Sequence, residues 1–130
     1  MNNDKQQSGV VEPTSLDEIL YAMNEAGGFQ VSVLISTEGL SIATVPADYD
    51  SDVTAAMVAL LQRVGSDAQS QLGMVEMDEM TIYDRDRTRL VCRHITVGME
   101  RLILVAIVPR GHCYRRVTNQ AIRRIRQLLS

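Results

Sequence analysis

Asp50–Leu72, DSDVTAAMVALLQRVGSDAQSQL, reads as a long helix with more apolar surface than a single core contact uses. At about 100° per residue, Val53, Met57, Leu60, Val64 and Ala68 fall on one stripe with Leu61 at its edge, the pattern of a core-facing side. The opposite side, where a surface helix carries charge, offers Ala55, Val58, Ala59 and Gln62, with Arg63 and Ser66 beside them. Small residues there let another backbone approach closely. An Ala-rich helix can be covered on one side only, since Ala favours helix anywhere. The sharper reading is a helix buried twice, on the large-residue stripe by its own sheet and on the small-residue side by a second copy or a partner.

Before this helix, Pro46 stops an apolar run and Asp48-Tyr49-Asp50 supplies carboxylates suited to a helix start, as caps and by the dipole. That run, Leu40 to Val45, returns from a turn at Ser36-Thr37-Glu38-Gly39. The outgoing strand has a period of two, with Phe29, Val31, Val33 and Ile35 alternating with polar residues. Further upstream, Ser15-Leu16-Asp17-Glu18 is a capping box. Leu16, Ile19, Leu20 and Met23 make a helical stripe, and Gly27-Gly28 ends it. Residues 1–12 are polar and unpatterned, a loose tail before a single domain over residues 13–130.

After the long helix, Gly73 closes it and Met74 to Tyr83 reads as a strand with a phase slip at Asp78-Glu79, the mark of a bulged edge strand. Asp84-Arg85-Asp86-Arg87 forms a charged hairpin tip, and Leu90 to Val97 runs back to a turn at Gly98-Met99. Leu102 to Val108, LILVAIV, lacks alternation and so belongs in the middle of a sheet covered on both faces. A last helix spans about Tyr114 to Leu129, with Val117, Ala121, Ile122, Ile125, Leu128 and Leu129 inward and its arginines largely outward. The order is α-β-β-α-β-β-β-α.

Composition sets the class. A chain of 130 residues with 45% hydrophobic content suits one domain with one real core. Only 4% is aromatic and there is no Trp, so that core is built from Val, Ile, Leu and Met. No apolar run approaches the length of a membrane helix, and MNNDKQQSG carries no signal-peptide core; a cytoplasmic protein is expected. Cys92 and Cys113 form no CxxC pair, in keeping with a reducing compartment. Charge is uneven: residues 1–84 hold fourteen acids against Lys5 and Arg63, residues 85–130 eleven arginines against Asp86 and Glu100. A nucleic-acid surface, a polarised protein-binding face and mutual neutralisation in the fold all fit this split, the last being the default.

Enzyme chemistry is poorly provided for. Cys92, His94, His112 and Cys113 superficially make a zinc set. With a turn at Gly98-Met99, Cys92 is expected opposite Ala106, leaving about 20 Å of strand before His112. No metal and no cofactor are therefore expected. Phosphate loops of the GxxxxGK[ST] or GxGxxG kind are missing, and Asp78-Glu79 or Asp84 with Asp86 are read as solvated carboxylates.

The opening LDEIL…AGGFQVSVLISTEGLSIATV, the long Ala-rich helix, the three-strand meander and the basic last helix resemble the roadblock family of dynein light-chain type over roughly residues 15 to 129. The first hairpin carries most of the likeness, in Gly28, Val33-Leu34-Ile35 and Glu38-Gly39-Leu40-Ser41-Ile42-Ala43. The resemblance implies an α+β, roadblock/profilin-like fold. Its five-stranded antiparallel sheet has the order 2-1-5-4-3, with two helices on one face and the long helix on the other. It also implies a non-enzymatic homodimer in which long helices pack together and third strands pair edge to edge. Carried onto this chain, that interface is Ala55, Val58, Ala59, Gln62 and Ser66 with Met74, Glu76, Asp78 and Met80. In bacterial and archaeal relatives the paired long helices form a platform for a small Ras-like GTPase, which here falls on Asp52, Ala56, Ala59, Gln62 and Arg63. Two alternatives stay open. One is a scaffold or motor-type light chain that leaves GTP turnover alone; the other is a nucleic-acid binder using the arginines of the last helix, disfavoured by the shortage of aromatics. The expected partners are itself and the GTPase, without nucleic acid or integral membrane contact.

Overall fold

The computed structural model describes residues 15–130. The expected tail over residues 1–12 lies outside them. Ser15 opens α1 (Leu16–Gly27), its hydroxyl accepting the Glu18 N–H at 3.2 Å. Gly28 closes that helix at φ 73°, a left-handed position that glycine adopts without a Cβ penalty. Two strands follow, β1 (Val31–Ser36) and β2 (Ser41–Val45), then α2 (Ser51–Leu72), capped by the Asp50 carboxylate on the Asp52 N–H. The meander comprises β3 (Glu79–Tyr83), β4 (Arg89–Val97) and β5 (Glu100–Val108), and α3 (Arg115–Leu129) ends the chain.

All five strands are antiparallel in the order β2-β1-β5-β4-β3, so the unbroken apolar strand β5 is central, as its composition requires. Its two faces build two cores. Leu102, Leu104, Ala106 and Val108 join Ile19, Leu20, Met23, Ala121, Ile122 and Ile125 of α1 and α3 on one face. Ile103 and Val105 join Val33, Ile35, Cys92 and the α2 residues Ala55 and Val58 on the other.

Three expectations need correction. The large-residue stripe of α2 does not face the sheet: Ala55 and Val58 are 2% and 1% exposed, whereas Val53, Met57, Leu60 and Val64 are 66%, 52%, 56% and 59% exposed. The sheet already presents Val33, Ile35, Ile103 and Val105, so a helix closes on it through small side chains and the bulky ones are left outside. The third strand begins at Glu79, and Met74, Glu76 and Asp78 lie in an irregular segment before it. Asp78 still accepts the His94 N–H at 3.0 Å. Lastly, Val97 pairs with Glu100 across the tight turn, which sets Cys92 opposite Val105 and not Ala106.

Candidate partner-binding site

The outer face of α2 is an apolar surface that the described residues leave uncovered. Val53 and Met57 are four residues apart, as are Leu60 and Val64, so their side chains stack along one side of the helix. The stripe lies opposite the residues packed on the sheet, and nothing in the chain's own described residues covers it. At the open edge of the sheet, Ile82 is exposed and its cross-strand neighbour Leu90 half-buried.

The residues singled out from sequence divide into three groups. Ala55 and Val58 are buried against the subunit's own sheet and leave the outer surface. Ala59 is half-buried beside the β1–β2 turn, its Cβ 3.5 Å from where a side chain on Gly39 would begin. Gln62 is half-buried too, its Oε1 hydrogen-bonded to His94 Nε2, which ties α2 to β4. Asp52, Ala56, Arg63 and Ser66 are exposed on one flank of the helix. Met74, Glu76 and Asp78 are exposed, and Met80 is half-buried, its sulfur 3.1 Å from where a Cβ on Gly65 would sit. Gly65 thus lets the second half of α2 approach β3. Helical periodicity defines the stripe Val53, Met57, Leu60 and Val64 but not its direction, and the fold turns it outward instead of into the core.

Electrostatics around this surface are structural. Burial pushes His94 below its ordinary value, with Asp78 working the other way and the Arg101 cation adding to the depression. Burial likewise raises the Cys92 thiol to about 12, reinforced by the Glu79 charge, which leaves it unreactive as a nucleophile. Under the second half of α2 a polar cleft of about 310 Å³ is bordered by Gln62, Ser66, Gln69, Asp78, His94 and Arg101. Among the described residues no group of three or more His, Cys, Asp or Glu is placed to hold a metal ion. No described helix is long and apolar enough to cross a membrane.

The element order and the sheet order are those of roadblock domains. No family model matches the sequence, and no curated protein matches it. Solved structures do. MglB from Myxococcus xanthus is similar with a TM-score of 0.75 at 15% identity, covering 87% of this chain and 93% of that one. A roadblock/LC7 domain from Streptomyces avermitilis gives 0.74 at 20% identity, covering 87% and 96%. An MglB structure with a tetrameric arrangement gives 0.68 at 18%, covering 87% and 86%. The chain therefore has the roadblock fold anticipated from its first hairpin and central strand.

Proposed function

We propose that this protein is a non-enzymatic homodimeric adaptor that presents its paired α2 helices to a small Ras-like GTPase and regulates or positions it. One observation carries the reading: four large apolar side chains, each more than half exposed, line the outer face of α2. A stripe of this kind is costly in water and is characteristic of an association surface.

Its spacing suits a second copy. Val53 and Val64, and Met57 and Leu60, lie symmetrically about the middle of the stripe. A two-fold axis there runs the helices antiparallel and sets Val53 against Val64 of the second copy and Met57 against Leu60 of the second copy. Pairing of the β3 edges would close the open side of the sheet at the same time. The similarity to an MglB solved in a tetrameric arrangement supports self-association. Asp52, Ala56 and Arg63 remain exposed on the flank of the helix, where a docked GTPase would meet them. The role for a GTPase rests on the resemblance to roadblock proteins.

Light scattering of the purified chain, alone and with Ras-like GTPases from the same cell, tests this. A dimer that co-elutes with a GTPase and alters its turnover is expected. A dimer that binds but leaves turnover unchanged would favour the scaffold alternative. A monomer at the highest soluble concentration would overturn the reading.

A further inference from the structure

Several arginines of the basic half of the chain lie on the β3–β4 hairpin, on the segment before α3 and on the first turn of α3. The β3–β4 hairpin and the segment leading into α3 meet at one end of the molecule, held by Arg89, whose guanidinium donates to the Pro109 carbonyl at 3.1 Å and to that of His112. Arg87 stacks on Tyr83 at 4.6 Å from the ring centre, and Arg89 lies over both Tyr83 and Tyr114. Such cation-π contacts fix the plane of a guanidinium while leaving its edge donors free.

Two features set this end apart. Arg87 is the only non-glycine residue with positive φ among the described residues, at 70°, a conformation costing about 1 kcal/mol or more. It is held there by a turn in which Asp84 accepts the Arg87 and Thr88 N–H groups at 3.1 and 2.9 Å. Arg85, Arg110 and Arg116 are exposed and make no ion pair among the described residues, whereas Arg115 is taken by Glu79 at 2.6 Å. Uncompensated like charges repel one another, and Arg115 and Arg116 also open α3, where the helix dipole disfavours cations. Both costs are relieved by an anionic partner.

The geometry points to this end, where Arg87 stands on the hairpin and Arg116 on the first turn of α3, as a second docking surface for a carboxylate-rich segment of a partner protein. Guanidinium edges match carboxylates in bidentate pairs. Single-stranded nucleic acid fits less well: the Tyr83 and Tyr114 rings are already stacked by arginines and the single Phe is buried, so bases lack a platform. An anionic bilayer fits less well too, because Asp84 and Asp86 interrupt the patch and the hairpin tip Asp84–Thr88 carries no large apolar residue to insert. Discrete anions on a chain can avoid those two aspartates; a uniform sheet of phosphates cannot.

The test is fluorescence anisotropy of a labelled oligoglutamate peptide against the intact protein at low salt, with labelled oligouridine and phosphatidylserine vesicles as parallel probes. Binding of the peptide is expected, weakening as salt rises. The double variant Arg87→Glu with Arg116→Glu is expected to lower it at least about tenfold, and the pair Arg87→Gln with Arg116→Gln to fall between. Thermal melts of both variants control for folding. Light scattering on the same samples reads the α2 interface separately, so failure here is distinguishable from failure of the adaptor reading. Absence of peptide binding, unchanged binding by a folded charge-reversed variant, or tighter binding of oligouridine or vesicles would overturn the assignment.

Discussion

Gln62 and His94 are hydrogen-bonded to each other across the junction of α2 and β4, joining the helix to the sheet beneath its second half. The imidazole is half-buried, and its Nδ1 has no hydrogen-bond partner among the described groups. Adding a proton there places a charge and a donor where nothing accepts it.

Stability should consequently depend on pH. Burial holds the folded His94 below its unfolded value of 6.5. The unfolded chain therefore binds the proton first, and stability is complete above pH 6.5 and declines as pH falls from there through the lowered folded value. Thermal melts of the wild type should fall over that interval, and the His94→Gln variant should show a flatter profile. Parallel profiles for the two proteins would contradict the assignment.

Replacing Met57 and Leu60 together by Asp should separate the proposed dimer, weakening association by about 100-fold if these side chains form its centre. Each subunit should stay folded, because both positions are exposed. Sedimentation equilibrium reads the first effect and circular dichroism the second. Ala59→Arg should behave differently: its Cβ abuts the Gly39 turn of the same subunit, so the cost should appear as a lower melting temperature.

Glu79 is the acid around which the edge strand is held to α3. It accepts from Thr81, Tyr114 and Arg115 and lies 3.8 Å from the buried Arg93, which in turn donates to Thr118 at 2.7 Å. Burial works against its charge, but the Thr81 and Tyr114 hydroxyls and then Arg115 and Arg93 outweigh it and hold the carboxyl below its ordinary value. Glu79→Ala strands the Arg93 cation in the core and should cost about 3 kcal/mol in urea denaturation. The Glu79 contribution should be present above pH 4.5 and be lost as pH falls through the lowered folded value.

Thiol labelling should distinguish the two cysteines. Cys113 is exposed, whereas Cys92 is buried with its thiol raised to about 12. One thiol per chain should react under native conditions and both in denaturant. Rapid native labelling of two would show that α2 does not close over β4.

Periodicity alone identified the eight elements and their order, since alternation, helical stripes and glycine or proline stops are local consequences of backbone geometry. The seven apolar residues Leu102 to Val108 located the middle of the sheet for the same reason: only a strand covered on both faces dispenses with polar residues. Which side of α2 meets the sheet was a tertiary decision. Both sides of the helix are apolar, and the choice between Val58 and Leu60 depends on how much room Val33, Ile35, Ile103 and Val105 leave beneath it. Register behaves alike: Cys92 faces Val105 because Val97 and Glu100 close the turn as a pair. The meeting of the β3–β4 hairpin with the segment before α3, through Arg89 and the Pro109 and His112 carbonyls, also depends on chain reversal, which brings together residues far apart in sequence. Local pattern names the elements, whereas the volume between packed surfaces decides their orientation.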